Sequence, residues 1–84
     1  MQTTQEIIET IKGDISAKFK IPFNDKVTVD TNLIEAGMID SFGVVELICY
    51  LEERFAVKFT DDDLLSSEIA VVSGMADLVQ KRRG

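Results

Sequence analysis

A chain of 84 residues with 45% hydrophobic side chains can build one small core and is too apolar to be a disordered segment. It has no histidine, which removes Ser-His and Cys-His nucleophile pairs and imidazole metal sites. The net charge of -6 lies in one segment: residues 27–53 hold Asp30, Glu35, Asp40, Glu46, Glu52 and Glu53 with no Lys or Arg. Such a field repels nucleic acid and anionic membranes and attracts basic protein surfaces, unless it only solubilises a face.

The single cysteine, Cys49, can form no internal disulfide, so nothing points to an oxidising compartment. The opening residues, MQTTQEIIETIKGD, lack the basic start and apolar run of a signal peptide. No apolar stretch reaches the roughly 18 to 20 residues of a membrane helix. The expectation is a cytoplasmic, monomeric single domain over 1–84, with no nucleic-acid partner and no membrane insertion.

In chain order, Thr3 and Glu6 have the spacing of a capping box. Ile7, Ile8, Ile11, Ile15 and Phe19 then recur at helical intervals. This predicts a first helix over 4–19, ending before Pro22. From Lys20 to Asp40 no period is sustained. About 20 residues is long for a structureless connection in a compact domain, so the segment needs anchors or a function. Phe23, Val27, Leu33 and Ile34 are the candidate anchors, Gly37 marks a turn, and Val27-x-Val29 could be a short extended piece.

The second helix is the clearest. Asp40 or Ser41 caps it, and Val44, Leu47, Ile48, Leu51 and Phe55 form one apolar stripe. Thr60 caps a short third helix over 61–65, with Asp63 as its third residue. The run Asp61-Asp62-Asp63 lacks the ligand spacing of a calcium loop, as does Asp30-x-Asn32. Acids at a helix start suit the helix dipole, so no metal is expected. A last helix over 71–82 turns Val72, Met75, Leu78 and Val79 inward and places Lys81, Arg82 and Arg83 at its negative end. The fold class is all-α: a four-helix bundle with a long first loop and a short third helix.

The stretch GMIDSFGVVEL, residues 37–47, sets an Asp-Ser pair at the start of the acidic helix. A serine there is commonly a cap. Asp40 already supplies one, however, which leaves Ser41 spare. A phosphodiester on Ser41 Oγ would lie against the free N–H groups and positive end of the helix.

The chain resembles the acyl carrier proteins, including their peptidyl and aminoacyl relatives, over nearly its whole length. The resemblance is carried by DSFGVVELICYLEERFAVKFTDDDL: a D-S opening, a V-E-L step, an L-E-E-x-F close and an acidic turn. It implies an acyl-carrier-like bundle in which Ser41 bears a 4'-phosphopantetheine arm from coenzyme A, with Asp40 beside it. A phosphopantetheinyl transferase installs the arm. An acyl or aminoacyl ligase loads its thiol, and a downstream acyl transferase or synthase unloads the thioester. The protein would be a courier and no enzyme, which accounts for the missing histidine.

By position, the docking surface implied is Phe42, Val45, Glu46, Cys49 and Glu53, beside Asp40. Cys49 is then a modestly apolar contact, or alternatively buried filler, since free cysteine packs like a small hydrophobe. The bulk of Phe42, Phe55 and Phe59 counts toward the core. A competing reading keeps Ser41 as a plain cap in a non-covalent acidic helical module that binds a basic partner.

The resemblance departs in three places. Fatty-acid-synthesis carriers usually read G-x-D-S and often have an acid two residues after the serine. Here Gly37 and Asp40 are separated by Met38 and Ile39, and residue 43 is Gly. Both features are similar to stand-alone aminoacyl carriers such as the D-alanyl carrier proteins, and favour an amino acid or short polar acyl cargo, although specialised acyl carriers outside primary fatty acid synthesis share them. Ser67 and Glu68 look inserted, and Ala70-Val71 stand where a Thr cap is common. This leaves the start of the last helix open.

Overall fold

In the computed structural model, which describes residues 3–83, Thr3 opens the first helix through the capping box that the sequence predicts. Its Oγ1 accepts from Glu6 N and its own N–H donates to Glu6 Oε1, each at 3.1 Å. The helices are α1 (Thr4–Phe19), α2 (Ser41–Phe55), α3 (Asp61–Leu65) and α4 (Val72–Arg83). A 3₁₀ turn, Ser67–Ala70, precedes α4. No strand occurs among the described residues. The ends of the expected 1–84 domain, residues 1–2 and 84, lie outside them.

α1 stops because Lys20 turns left-handed, at φ 56°, ahead of the Ile21-Pro22 bond that disfavours further helix. α2 stops the same way at Ala56, φ 55°. The core takes Ile7, Ile11 and Ile15 from α1, Leu47, Leu51 and Phe55 from α2, and Val72, Met75, Ala76, Leu78 and Val79 from α4. α1 packs chiefly on α4. The connections add Ile21, Leu33, Val57, Ile69 and Ala70.

The long loop is held by hydrogen bonds to distant elements. Ser73 N donates to Val29 O at 2.9 Å, Ser73 Oγ to Asp30 Oδ1 at 2.8 Å, and Leu33 N to Ala70 O at 2.9 Å. Leu33 is fully buried, while Phe23 and Val27 pack partly against the core. Ile34, expected as an anchor, is instead 45% exposed. Asn32 Oδ1 accepts from both Ile34 N and Glu35 N at 3.0 Å. The resulting tight turn lets only one of the adjacent Leu33 and Ile34 face inward. The Val27-x-Val29 stretch is no strand either. Asn24 Oδ1 takes the N–H groups of Lys26 and Val27, folding the segment into a turn.

At the other end, α4 begins one residue later than the sequence suggests. Ser66 Oγ accepts from Glu68 N at 3.2 Å and opens the 3₁₀ turn. That turn buries Ile69 and Ala70, and Val71 is extended before α4 starts. The residues that look inserted, Ser67 and Glu68, are the first half of this turn.

Candidate functional site

Asp40 and Ser41 have separate jobs in the structure. Asp40 has extended backbone, φ -106° and ψ -172°, and its Oδ1 accepts from Gly43 N at 2.8 Å. It is therefore the N-cap. Ser41 is the first helical residue and is exposed, with no hydrogen bond to its Oγ among the described residues. The first backbone bond of the helix is Val44 N to Asp40 O, 3.0 Å. The N–H groups of Ser41 and Phe42 thus have no intrahelical acceptor and lie at the positive end of the helix.

The loop fixes where this junction sits. Gly37 takes φ +75°, a left-handed turn that glycine enters without strain. Met38 N and Ile39 N then both donate to Leu33 O, at 2.8 and 3.3 Å. Since Leu33 is buried and bonded to Ala70, the position of Asp40 and Ser41 is referred back to the core.

From Ser41 the exposed face of α2 presents Phe42, Val45, Glu46, Cys49 and Glu53 in one stripe. Phe42 is 78% and Val45 59% exposed. Counting Phe42 as core bulk is therefore wrong. It stands five residues before Leu47, about 140° around the helix at roughly 100° per residue, and so faces away from the core. Phe55 is buried and Phe59 partly so. Cys49 is exposed, which rules out the filler reading, because it shares the outward stripe with Phe42 and Glu46.

Two clefts flank this stripe on its α1 side. One, about 330 Å³, is lined by Phe19, Met38, Ile39 and Phe42 together with Asp40 and Glu46. The next, about 280 Å³, brings Lys18 of α1 beside Val45, Glu46 and Glu53. The acidic segment thus has a lysine neighbour that residues 27–53 alone do not reveal.

Two polar clusters hold the elements around the site, and neither is evident in the sequence. Tyr50 Oη donates to Asp14 Oδ2 at 2.5 Å and Arg54 Nε to the same oxygen at 3.1 Å, fastening α2 to α1. Burial, with the Asp14 hydrogen bond behind it, raises the Tyr50 pKa. Asp63, 4% exposed, receives Arg82 Nε at 2.6 Å and Nη2 at 2.9 Å, and its Oδ2 also accepts from Thr60 N. Arg82 above all, then the Thr60 N–H, pulls its pKa down to about 2. Sequence spacing marks Asp63 as a capping acid and Arg82 as a helix-end cation. Nothing local pairs them across 19 residues.

The donor set suits a phosphodiester: a free primary hydroxyl, unpaired N–H groups behind it, and a helix dipole aligned with a negative charge. Among the described residues, no group of acids and cysteine is arranged to hold a metal ion. No described helix is long and apolar enough to cross a membrane.

The family described as the phosphopantetheine attachment site matches residues 9–79. The acyl carrier protein of Borrelia garinii subsp. bavariensis is 28% identical over 94% of this chain and 95% of its own. That of Lactobacillus acidophilus is 29% identical over 95% and 96%. That of Chlamydia trachomatis serovar D is 34% identical over 70% and 74%. No solved structure matches the chain. With the family match covering both the Asp-Ser junction and the packed helices around it, the chain belongs to the acyl carrier proteins, which carry a covalently attached 4'-phosphopantetheine group.

Proposed function

We propose that Ser41 is the attachment residue and that the chain, as one cytoplasmic, monomeric carrier domain over 1–84, presents a thioester-bound acyl or aminoacyl group to partner enzymes. The observation that carries this reading is the division of labour at the junction. Asp40 makes the cap, so the Ser41 hydroxyl is exposed and free to be modified without dismantling the helix start.

In the modification step, the bond from Ser41 Oγ to the pantetheine-side phosphorus forms and the pyrophosphate bond of coenzyme A breaks, releasing adenosine 3',5'-bisphosphate. The serine proton goes to a base of the transferase. The chain has no histidine to act as that base, and the Asp40 carboxylate serves as the cap through Oδ1. Its own residues hold the hydroxyl at a fixed place and offer the N–H groups of the first turn to the phosphate. When bound, the arm supplies a thiol for thioester exchange.

Partners dock on Phe42 and Val45 as apolar contacts, with Glu46 and Glu53 drawing basic residues and Cys49 between them. The transferase, the loading ligase and the downstream acyl transferase or synthase all read this face. The cargo is an amino acid or a short polar acyl group. Incubation with a broad-specificity phosphopantetheinyl transferase and coenzyme A tests the reading. Intact mass should rise by one phosphopantetheine, located on the peptide containing Ser41. An unchanged mass would leave a non-covalent acidic docking module.

A further inference from the structure

Gly43 is the third residue of α2, and its N–H is the one that Asp40 Oδ1 accepts, at 2.8 Å. A Cβ at position 43 would stand 3.1 Å from Ile39 Cβ, 3.6 Å from Ile39 Cγ2 and 3.5 Å from Asp40 Oδ1. Ordinary contacts of a Cβ begin at 3.4 Å. The tightest of these contacts is with a Cβ, which no rotamer change can move. A side chain at 43 therefore needs the backbone on one side of this contact, 39–40 or 43 itself, to give by a few tenths of an ångström.

That backbone is tethered on both sides. Met38 N and Ile39 N share Leu33 O, and Leu33 is locked in the core. On the other side, Asp40 is bound into the cap. Any displacement thus falls on the residues next to Ser41. Ile39 is also one of the two residues that separate Gly37 from Asp40, where the fatty-acid-synthesis pattern has one. Ile39 Cβ is the atom that a side chain on residue 43 would meet first.

We infer that Ile39 and Gly43 form a coupled positioning pair that sets the pose of Ser41 for the enzymes acting on it. The inference rests on Ser41 being the attachment residue. Neither residue touches the reacting atoms, and both act through the Asp40–Ser41 backbone. An unconstrained helix glycine behaves differently, gaining stability on replacement by Ala with no effect on chemistry elsewhere.

A double-mutant cycle on transfer from coenzyme A separates the two cases. Gly43→Ala should lower kcat/KM about fivefold, a fraction of the roughly hundredfold that a 1 Å misplacement costs. The loss should appear in kcat, because the docking face is untouched, and the unfolding midpoint should not fall. In an Ile39→Gly background, where the opposing Cβ is gone, Gly43→Ala should change the rate by less than twofold, in contrast to the near-additivity of independent sites. A wild-type rate in Gly43→Ala, or the same loss in both backgrounds, would overturn the pairing.

If Ile39→Gly does not fold, amide exchange in the Gly43→Ala variant alone decides. Faster exchange at residue 43, with chemical-shift changes centred on 39–41, supports the pair, and unchanged exchange overturns it. The wild-type mass keeps the two readings apart. A chain modified elsewhere or not at all removes the Ser41 reading and this one with it. Modification on Ser41 without coupling removes this one alone.

Discussion

At the junction the two neighbouring side chains predict opposite outcomes. Ser41→Ala removes a hydroxyl that caps nothing, so stability should change by no more than a few tenths of a kcal/mol while modification is lost entirely. Asp40→Ala removes the observed cap and should cost about 0.5 to 2 kcal/mol, with Ser41 still modifiable. Denaturant unfolding and intact mass read the pair together. Phosphopantetheine remaining on the Ser41→Ala chain would assign the site to another residue. Asp63 makes a second prediction at this scale. Its folded pKa, about 2, lies below the ordinary 3.8, so its contribution is fully present above about pH 4 and is lost as pH falls toward 2. The contribution is at most roughly 2 to 3 kcal/mol by linkage. Unfolding at pH 6 and pH 3 should therefore differ more in the wild type than in Asp63→Asn. Equal pH dependence in both would mean that the Arg82 pair does not hold the carboxylate ionised. Sequence spacing was enough to place Asp63 at its helix start, because a capping box is local. Its arginine was not legible, because α4 brings it there from 19 positions away.

Among the elements, the helices were legible where a cap and a stripe coincide. Thr3, Asp40 and Thr60 open α1, α2 and α3, and a helix start whose partners lie within three residues can be found in the sequence. The 3₁₀ turn and the loop over 20–40 follow another logic. Ser66 opens a turn too short for a period to develop, and the loop is set by Val29, Asp30 and Leu33 meeting Ser73 and Ala70, contacts with no sequence-local trace. The exposed face of α2, which we propose as the docking surface, was readable as an outward stripe because it mirrors the apolar one. Glu46→Lys with Glu53→Lys should slow phosphopantetheine transfer by an order of magnitude or more at low salt. Stability should stay within about 0.5 kcal/mol, as is usual for exposed positions. The deficit should shrink with added salt, since the screening length is about 10 Å at 0.1 M. Lys18, beside both acids, sharpens the test: Lys18→Gln should move the rate the opposite way. Unchanged kinetics in the double variant at low salt would remove this face as the docking surface.

The whole molecule bears on the cargo. Its radius of gyration, 11.6 Å, is close to the roughly 12 Å expected of a compact globular chain this long. Its core is filled by side chains that are 0 to 6% exposed. Ties between distant elements hold that packing: Asp14 with Tyr50 and Arg54, Asp63 with Arg82, and Asp30 with Ser73. A long acyl chain taken between the helices would have to displace close-packed aliphatic groups and stretch these ties. A short polar or aminoacyl group can stay in water, next to a face whose acids favour a free ammonium over a second carboxylate. Gly43 points the same way, because no acid stands two residues after Ser41, where fatty-acid-synthesis carriers often have one. We therefore expect the holo protein, offered a panel of adenylating ligases and a malonyl transferase, to be loaded by an amino-acid-activating ligase. Malonylation should be slower by at least tenfold, and Glu46→Gln with Glu53→Gln should narrow that gap if the acids disfavour the carboxylate. Thioester formation is read by intact mass and by its release with hydroxylamine. Efficient malonylation, with no ligase able to attach an amino acid, would assign the chain to carriers of growing acyl chains and require the packed core to open for them.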